Sequence, residues 1–100
     1  MLFDTGIIVQ SEAISNYVNH EYSDNASENF HRIMGYLKRH ISGDWGDIHK
    51  DDVGLNEEAI EKGYRILSVY KFKDEDGENT IFIITEADRS ATTILFDVEY

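Results

Sequence analysis

The 100-residue sequence predicts an α+β fold, in which N-terminal helices pack on a C-terminal antiparallel meander of three strands, with a fourth strand allowed. Apolar residues follow the 3.6-residue helical period before Gly63, and they follow a period of two after it. A run of helices followed by a run of strands is typical of a helical layer packed on a sheet. We therefore expect one domain over residues 1–100, with a helical part at 11–62 and a β-meander at 64–97.

The N-terminal region carries the weakest pattern. The apolar residues 7–9 fit either a strand or the start of the first helix. Ser11 is a suitable N-cap for a short helix that continues to Val18, because its hydroxyl can accept a hydrogen bond from a free N–H of the first turn. Both alternatives for residues 7–9 stay open at this point.

The strongest helical pattern lies at residues 26–42. Ser42 and Gly43 predict its end, since glycine readily takes the left-handed conformation that closes a helix. Lys38 and Arg39 fall in the last turns, where the helix dipole favours cations. Five apolar side chains share one stripe and are predicted to face the core: Phe30, Ile33, Met34, Leu37 and Ile41.

The second half of the sequence predicts one further helix and three strands. Trp45 is a large aromatic residue that we expect to plug the turn at 43–47. A helix follows at 50–62, with Gly63 just past its end. The strands are predicted at 64–73, 80–86 and 91–97, separated by an acidic hairpin loop at 74–79 and a turn at 87–90.

The net charge limits the classes of function that the chain can have. Asp and Glu number 20 against 9 Lys and Arg, which gives a formal net charge of −11. Binding to nucleic-acid phosphates requires Lys and Arg, so the excess of acidic over basic residues argues against direct binding of DNA or RNA and favours a basic protein partner. No apolar run approaches the ~20 residues of a membrane span, and the sequence has no Cys for disulfides. The N-terminus lacks the basic and apolar regions of a signal peptide, so we expect a cytoplasmic protein.

Two acidic segments are candidates for a partner-binding surface. An aromatic residue among charged residues is a common composition of interaction hot spots, and Trp45 lies inside the first segment. A solvated acidic face is the alternative, while the order of acids does not match a calcium-binding EF-hand loop. The candidate residues are Asp44, Trp45, Asp47, Asp51, Asp52, Glu57 and Glu58 in the first segment, and Asp74, Glu75, Asp76 and Glu78 in the hairpin loop.

The polar turn between the last two strands allows a catalytic alternative. Glu86 as general base, with Arg89 and His40 as phosphate-binding and acid groups, would suit a metal-free ribonuclease of the barnase type. In the structural alternative, Arg89 pairs with a carboxylate of the turn, either Glu86 or Asp88. The histidines lack metal-ligand spacing, since His31 and His40 would lie ~13–14 Å apart along one helix. We expect no metal and no cofactor.

Three segments resemble a family of small acidic proteins encoded on plasmids and conjugative elements of Firmicutes. They are RHISGDWGDI at 39–48, NEEAIEKGYRILSVY at 56–70 and IITEADRSATTIL at 83–95. The resemblance covers residues 30–100 and brings no catalytic residue with it. Some such proteins resemble anti-CRISPR inhibitors of type II-A systems, which act on the guide-RNA-directed nuclease.

The resemblance and the charge together predict an inhibitor protein of a mobile genetic element. We expect it to bind a host CRISPR-guided nuclease and to block guide-RNA or DNA loading, because carboxylates can occupy a positively charged channel that normally holds phosphates. The metal-independent ribonuclease, and an inhibitor of another host-defence enzyme such as a restriction enzyme, are the alternatives. The predicted inhibitor is not an enzyme, acts as a monomer or homodimer, and binds a basic protein instead of nucleic acid or a membrane.

Overall fold

The computed structural model describes residues 2–100 and has the α+β fold that the sequence predicts. Its helices are α1 (Glu12–Tyr17), α2 (Ala26–Ile41) and α3 (Val53–Lys62), and short 3-10 turns occupy Lys50–Asp52 and Asp97–Glu99. Its strands are β1 (Ile7–Gln10), β2 (Ile66–Asp74), β3 (Gly77–Thr85) and β4 (Ala91–Phe96).

The sheet has the strand order β1-β4-β3-β2. Strands β2, β3 and β4 form the predicted antiparallel meander, whereas β1 pairs with β4 in parallel. Residues 7–9 therefore form a strand, and the fourth strand makes the sheet mixed because the helical part serves as a long crossover between β1 and the meander. Gly6 allows the chain to pass close to Ser90 as it enters β1, since a Cβ at its φ of 62° would lie 2.2 Å from the Ser90 carbonyl oxygen.

Two predicted helix ends are confirmed. The backbone N–H of Ile14 donates to the Ser11 hydroxyl at 3.2 Å, so Ser11 is the N-cap of α1. Gly63 takes the left-handed conformation at φ 77° and closes α3. These signals were readable from sequence because both depend on a few neighbouring residues.

The buried face of α2 differs from the predicted stripe. Phe30 is 44 % exposed, while Asn29 and His40 are buried beside Ile33. The amide of Asn29 donates to the Tyr17 carbonyl at 2.8 Å, and this partner offsets the cost of burying a polar side chain. The prediction for Phe30 is wrong because the helix is rotated to bury hydrogen-bonded polar residues. The main core cluster comprises Ile14, Ile33, Tyr70, Ile81, Ile83 and Ile94.

A second core cluster lies between α3 and the start of β2. Trp45 is the largest member, and it packs with Phe3, Ala59 and Ile66. The Trp45 ring lies 6.2 Å from the Phe3 ring and is stacked on it. The predicted role of Trp45 as the plug of its turn is therefore confirmed.

Candidate functional site

The loop around Trp45 seals the outer edge of β2. The backbone N–H of Val69 donates to the Trp45 carbonyl at 3.1 Å, and the backbone N–H of Asp47 donates to the Val69 carbonyl. Two residues further along, the N–H of Lys71 donates to the Asp47 carboxylate at 2.8 Å. Gly46 makes this approach possible, because a Cβ at that position would lie 2.1 Å from the Val69 carbonyl oxygen. The GDWGD motif is thus an edge cap of the sheet.

Asn56 extends the same cap from α3. Its side-chain oxygen accepts from the N–H of Leu67 at 3.2 Å, and its side-chain nitrogen donates to the Leu67 carbonyl at 2.7 Å. The amide group therefore takes the place of one residue of a neighbouring strand. Sequence reasoning missed Asn56, since no local pattern distinguishes it from an exposed helical polar residue.

Trp45 does not lie on the molecular surface. It is 5 % exposed, and the Tyr70 hydroxyl donates to the carbonyl of the preceding Asp44 at 2.7 Å. An interaction hot spot needs an accessible aromatic side chain. The prediction that Trp45 anchors a partner is therefore wrong, and the physical reason is that the ring fills the second core cluster.

The predicted acids of the first segment fall into two groups. Asp44 is bonded to Arg39 at 2.8 Å, and this hydrogen bond holds the pKa of the Asp44 carboxyl below its usual value. Glu58 pairs with Lys62 at 2.9 Å. Asp47 accepts from the Lys71 backbone N–H and belongs to the cap of β2. The other three acids are exposed and have no Lys or Arg ion-pair partner within residues 2–100, although Asp51 lies 3.3 Å from the His49 ring. Two of them lie in the 3-10 turn that leads into α3 and one lies on α3, and we call them the α3 carboxylates: Asp51, Asp52 and Glu57.

The acids of the hairpin form a separate cluster. The N–H of Asp76 donates to the Asp74 carboxylate at 2.9 Å, which shapes the turn between β2 and β3. Along β2, Lys71 and Lys73 stand between Asp47 and Asp74, and both lysines are exposed. The acidic surface is therefore divided into two clusters. Four hairpin residues from the prediction lie in the second one: Asp74, Glu75, Asp76 and Glu78.

The hairpin cluster borders an open cleft of about 490 Å³. The opposite wall comes from α1 and α2 and includes Tyr17, Asn29 and Arg32. The Arg32 guanidinium lies 4.5 Å from the centre of the Phe72 ring and donates to the Tyr17 hydroxyl at 2.8 Å. The side-chain N–H groups of Asn29 are therefore bonded within the protein, whereas the Arg32 guanidinium uses one of its five N–H groups on Tyr17.

His40 belongs to a buried chain of hydrogen bonds. Its ring nitrogens lie 2.6 Å from the Ser68 hydroxyl and 2.8 Å from the Thr85 hydroxyl. The Thr85 hydroxyl lies 2.7 Å from that of Thr92, which donates to the Thr5 carbonyl at 2.8 Å. The Thr92 hydroxyl donates its one hydrogen to the Thr5 carbonyl, so it must accept from the Thr85 hydroxyl. The Thr85 hydroxyl then has no hydrogen left for His40 and must accept from the His40 Nε2–H.

The direction of this chain places a proton on His40 Nε2. Because burial disfavours the charged ring, that is its only ring proton at neutral pH, and Nδ1 accepts from the Ser68 hydroxyl. Burial lowers the pKa of the His40 imidazole to about 4. A fully buried, neutral ring with both nitrogens bonded cannot reach a substrate, so His40 connects α2 to the sheet instead.

Arg89 is held by backbone carbonyls. Its guanidinium donates to the carbonyl oxygens of Ala59 at 2.8 Å and Tyr64 at 2.7 Å, next to the C-terminus of α3. Two further bonds reach the carbonyls of Glu86 and Ala87 within its own turn. The side chain that the ribonuclease hypothesis assigns to a phosphate is thus committed to the fold. The predicted pairing with a turn carboxylate is also wrong, since its partners are carbonyl oxygens.

No family model, no curated protein and no solved structure matches the chain. Within residues 2–100, no group of three His, Asp or Glu side chains is placed to hold a metal ion. The same residues contain no helix long and apolar enough to cross a membrane.

Proposed function

We propose that this chain is an acidic inhibitor protein that binds the positively charged nucleic-acid channel of a host-defence enzyme. The family resemblance makes a type II CRISPR-guided nuclease the first target to test, with a block of guide-RNA or DNA loading as the mechanism. The α3 carboxylates carry this proposal, because they combine exposure with the absence of a Lys or Arg partner within residues 2–100.

Electrostatics supports such an interaction. A net charge of −11 on a small domain attracts a basic channel over a distance and speeds the encounter. The channel of a guide-directed nuclease is built to hold the phosphates of a heteroduplex. Carboxylates on α3 and on the 3-10 turn before it would meet the same Lys and Arg side chains that otherwise contact those phosphates.

The support under α3 favours a rigid presentation of Glu57 and of the 3-10 turn at the start of the helix, which carries Asp51 and Asp52. Asn56 ties the middle of the helix to β2, and Arg89 bonds the Ala59 and Tyr64 carbonyls at its C-terminal end. Ala59 is also buried against Trp45 in the second core cluster. A helix held in this way loses little conformational freedom on binding, which increases affinity.

The ribonuclease alternative gains no support from the geometry. His40 is fully buried, and the Arg89 guanidinium is bonded to four carbonyl oxygens. Inhibition of a restriction enzyme would use the same acidic surface, so it remains the second target for the same assay.

The test is a DNA-cleavage assay with a type II nuclease, in which the inhibitor is added before the guide RNA. The variant D51N/D52N/E57Q removes the charge of the α3 carboxylates without a large change in shape. The matched control E21Q/D24N/E28Q removes three charges from exposed positions outside the two acidic segments and away from β1. We expect the first variant to weaken inhibition roughly tenfold or more, since close charge pairs in an interface contribute strongly, and we expect little change in the control.

Two results would overturn parts of the proposal. Equal losses in both variants would show that net charge, and not the α3 surface, determines inhibition. Absence of inhibition by the wild-type protein, for the nuclease and for a restriction enzyme alike, would remove the inhibitor function.

A further inference from the structure

The outer edge of β1 has unpaired backbone groups. The N–H groups of Ile7 and Ser11 face β4: the first donates to the carbonyl of Ser90, just before β4, at 3.1 Å, and the second to the carbonyl of Ile94 in β4 at 3.0 Å. Alternate residues of a parallel strand direct their N–H and C=O groups to opposite sides. Ile8 and Gln10 therefore point theirs away from the sheet, where no other segment of residues 2–100 lies as a partner strand.

This edge lacks the usual protection. Natural sheets shield an edge strand with charged side chains, proline, a bulge or a covering loop. β1 has the sequence IIVQ, with no charge and no proline, and Ile7 is 70 % exposed. Ile8 and Val9 are exposed as well. The strand thus offers both free hydrogen-bonding groups and apolar contact area.

The surroundings of β1 are acidic. Asp4 and Glu12 flank the strand in sequence, and residues 1–31 contain no Lys or Arg. The Glu99 carboxylate lies at the end of the strand, where it accepts from the Ser11 hydroxyl at 2.6 Å. Arg89 precedes β4 in the turn next to Gly6, but its guanidinium is bonded to carbonyl oxygens on the α3 side.

We propose that β1 is a docking edge for an extended segment of a basic partner protein, which adds to the sheet as a fifth strand. Backbone groups of the segment would pair with those of Ile8 and Gln10. Apolar side chains of the segment would pack on the exposed side chains of β1. Lys or Arg residues at its two ends would meet Asp4, Glu12 and Glu99, which gives the edge its preference for a basic segment.

A second copy of the chain fits this edge less well. In the register with the two-fold axis at Ile8, two antiparallel β1 strands would place Glu12 of one copy opposite Asp4 of the other. Like charges opposite each other destabilise strand pairing, and each copy carries a net charge of −11. The charges at the edge therefore favour a basic partner over self-association.

The test uses peptides as probes, so it does not depend on nuclease inhibition. The first probe is a nine-residue peptide of alternating valine and threonine with two lysines at each end; the matched control has glutamates in place of the lysines.

Hydrogen exchange of individual amides, followed by NMR, should show rapid exchange at Ile8 and Gln10 in the free protein. Saturation with the lysine peptide should slow both amides roughly tenfold or more, since each gains a hydrogen bond. The Val9 amide, which faces β4, should be protected in both states.

Ile8→Pro removes one outward N–H and should weaken binding of the lysine peptide roughly three- to tenfold, the value of one net hydrogen bond. Ile8→Ala keeps the N–H and is the matched control for loss of the side chain. Equal binding of both peptides, no binding, or protection of other amides would each overturn the inference. A wild-type dimer in sedimentation equilibrium with Ile8 and Gln10 already protected would overturn it in favour of self-association.

Discussion

At β2 the outward N–H groups of Leu67, Val69 and Lys71 all have partners, whereas at β1 those of Ile8 and Gln10 have none within residues 2–100. The three partners at β2 are of different kinds: a side-chain amide, a backbone carbonyl and a carboxylate. Both are edge strands of the same sheet, so the position at an edge does not by itself require partners for the outward N–H groups. The difference separates a structural edge, built into the core through Trp45, from an edge that is free to pair.

Gly46→Ala should break the sealed edge most severely. The new Cβ would meet the Val69 carbonyl oxygen at 2.1 Å, and the residue would have to keep a φ of 71°. The loop would have to leave β2 and move Trp45, so we expect a loss of roughly 4 kcal/mol in the free energy of unfolding. Urea denaturation followed by Trp45 fluorescence measures it.

Gly35→Ala is the matched control for that substitution. Gly35 lies inside α2, and a Cβ there would have no heavy atom within 4 Å. We expect this variant to be more stable by ~0.5–1 kcal/mol, because alanine favours the helix. A Gly46→Ala protein as stable as wild type would mean that the loop does not pair with β2 in solution.

Low pH should weaken the connection between α2 and the centre of the sheet. The pKa of His40 is about 4 in the folded protein and ~6.5 when unfolded. The unfolded state therefore binds more protons below pH 6.5, so stability decreases as the pH falls from there to about 4. The His40 contribution is a loss of roughly 3 kcal/mol at pH 4.

Comparison with His40→Gln isolates this contribution from the carboxylates that titrate in the same range. The free energy of unfolding should fall by roughly 3 kcal/mol more in wild type than in the variant between pH 7 and pH 4. Parallel pH dependence of the two proteins would show that the ring is not buried and neutral in solution.

Asn56→Ala should open the sealed edge at one position. The N–H and carbonyl of Leu67 would lose both partners in a place with little access for water, and we expect a cost of about 2 kcal/mol. Hydrogen exchange of the Leu67 amide should become faster than in wild type. Asn25→Ala is the control, since the Asn25 side chain makes no capping hydrogen bond, and its effect should be under ~0.5 kcal/mol. Unchanged exchange at Leu67 would contradict the capping role of Asn56.

The sequence predicted those features that depend on near neighbours. The meander, the span of α2, the Ser11 N-cap and the end at Gly63 all follow from periodicity or capping rules. The rotation of α2 was not predictable in this way. Its buried residues Asn29 and His40 have partners in α1 and in the sheet, and hydrophobicity along the helix contains no sign of them.

The candidate site shows the same limit. The acidic segments and the aromatic residue among them were visible in the sequence, but the burial of Trp45 depends on Phe3, Ala59 and Ile66, which are distant in the chain. The capping of β2 by residues 45–47 joins positions more than twenty residues apart. The composition therefore indicated an acidic surface, whereas contacts between residues distant in the chain determine which of its residues are exposed.

The smallest effect on the free protein should come from Ile8→Pro, and Lys71→Pro is the matching substitution on the other edge strand, β2. Both positions direct the N–H outward, but only that of Lys71 has a partner, the Asp47 carboxylate at 2.8 Å. Proline is tolerated on an edge strand where its missing N–H faces solvent. We expect a cost under ~0.5 kcal/mol for Ile8→Pro and about 2 kcal/mol for Lys71→Pro, which also leaves Asp47 without its donor. Urea denaturation of both variants compares the edges directly, and equal costs would mean that the Ile8 N–H has a partner in the folded protein.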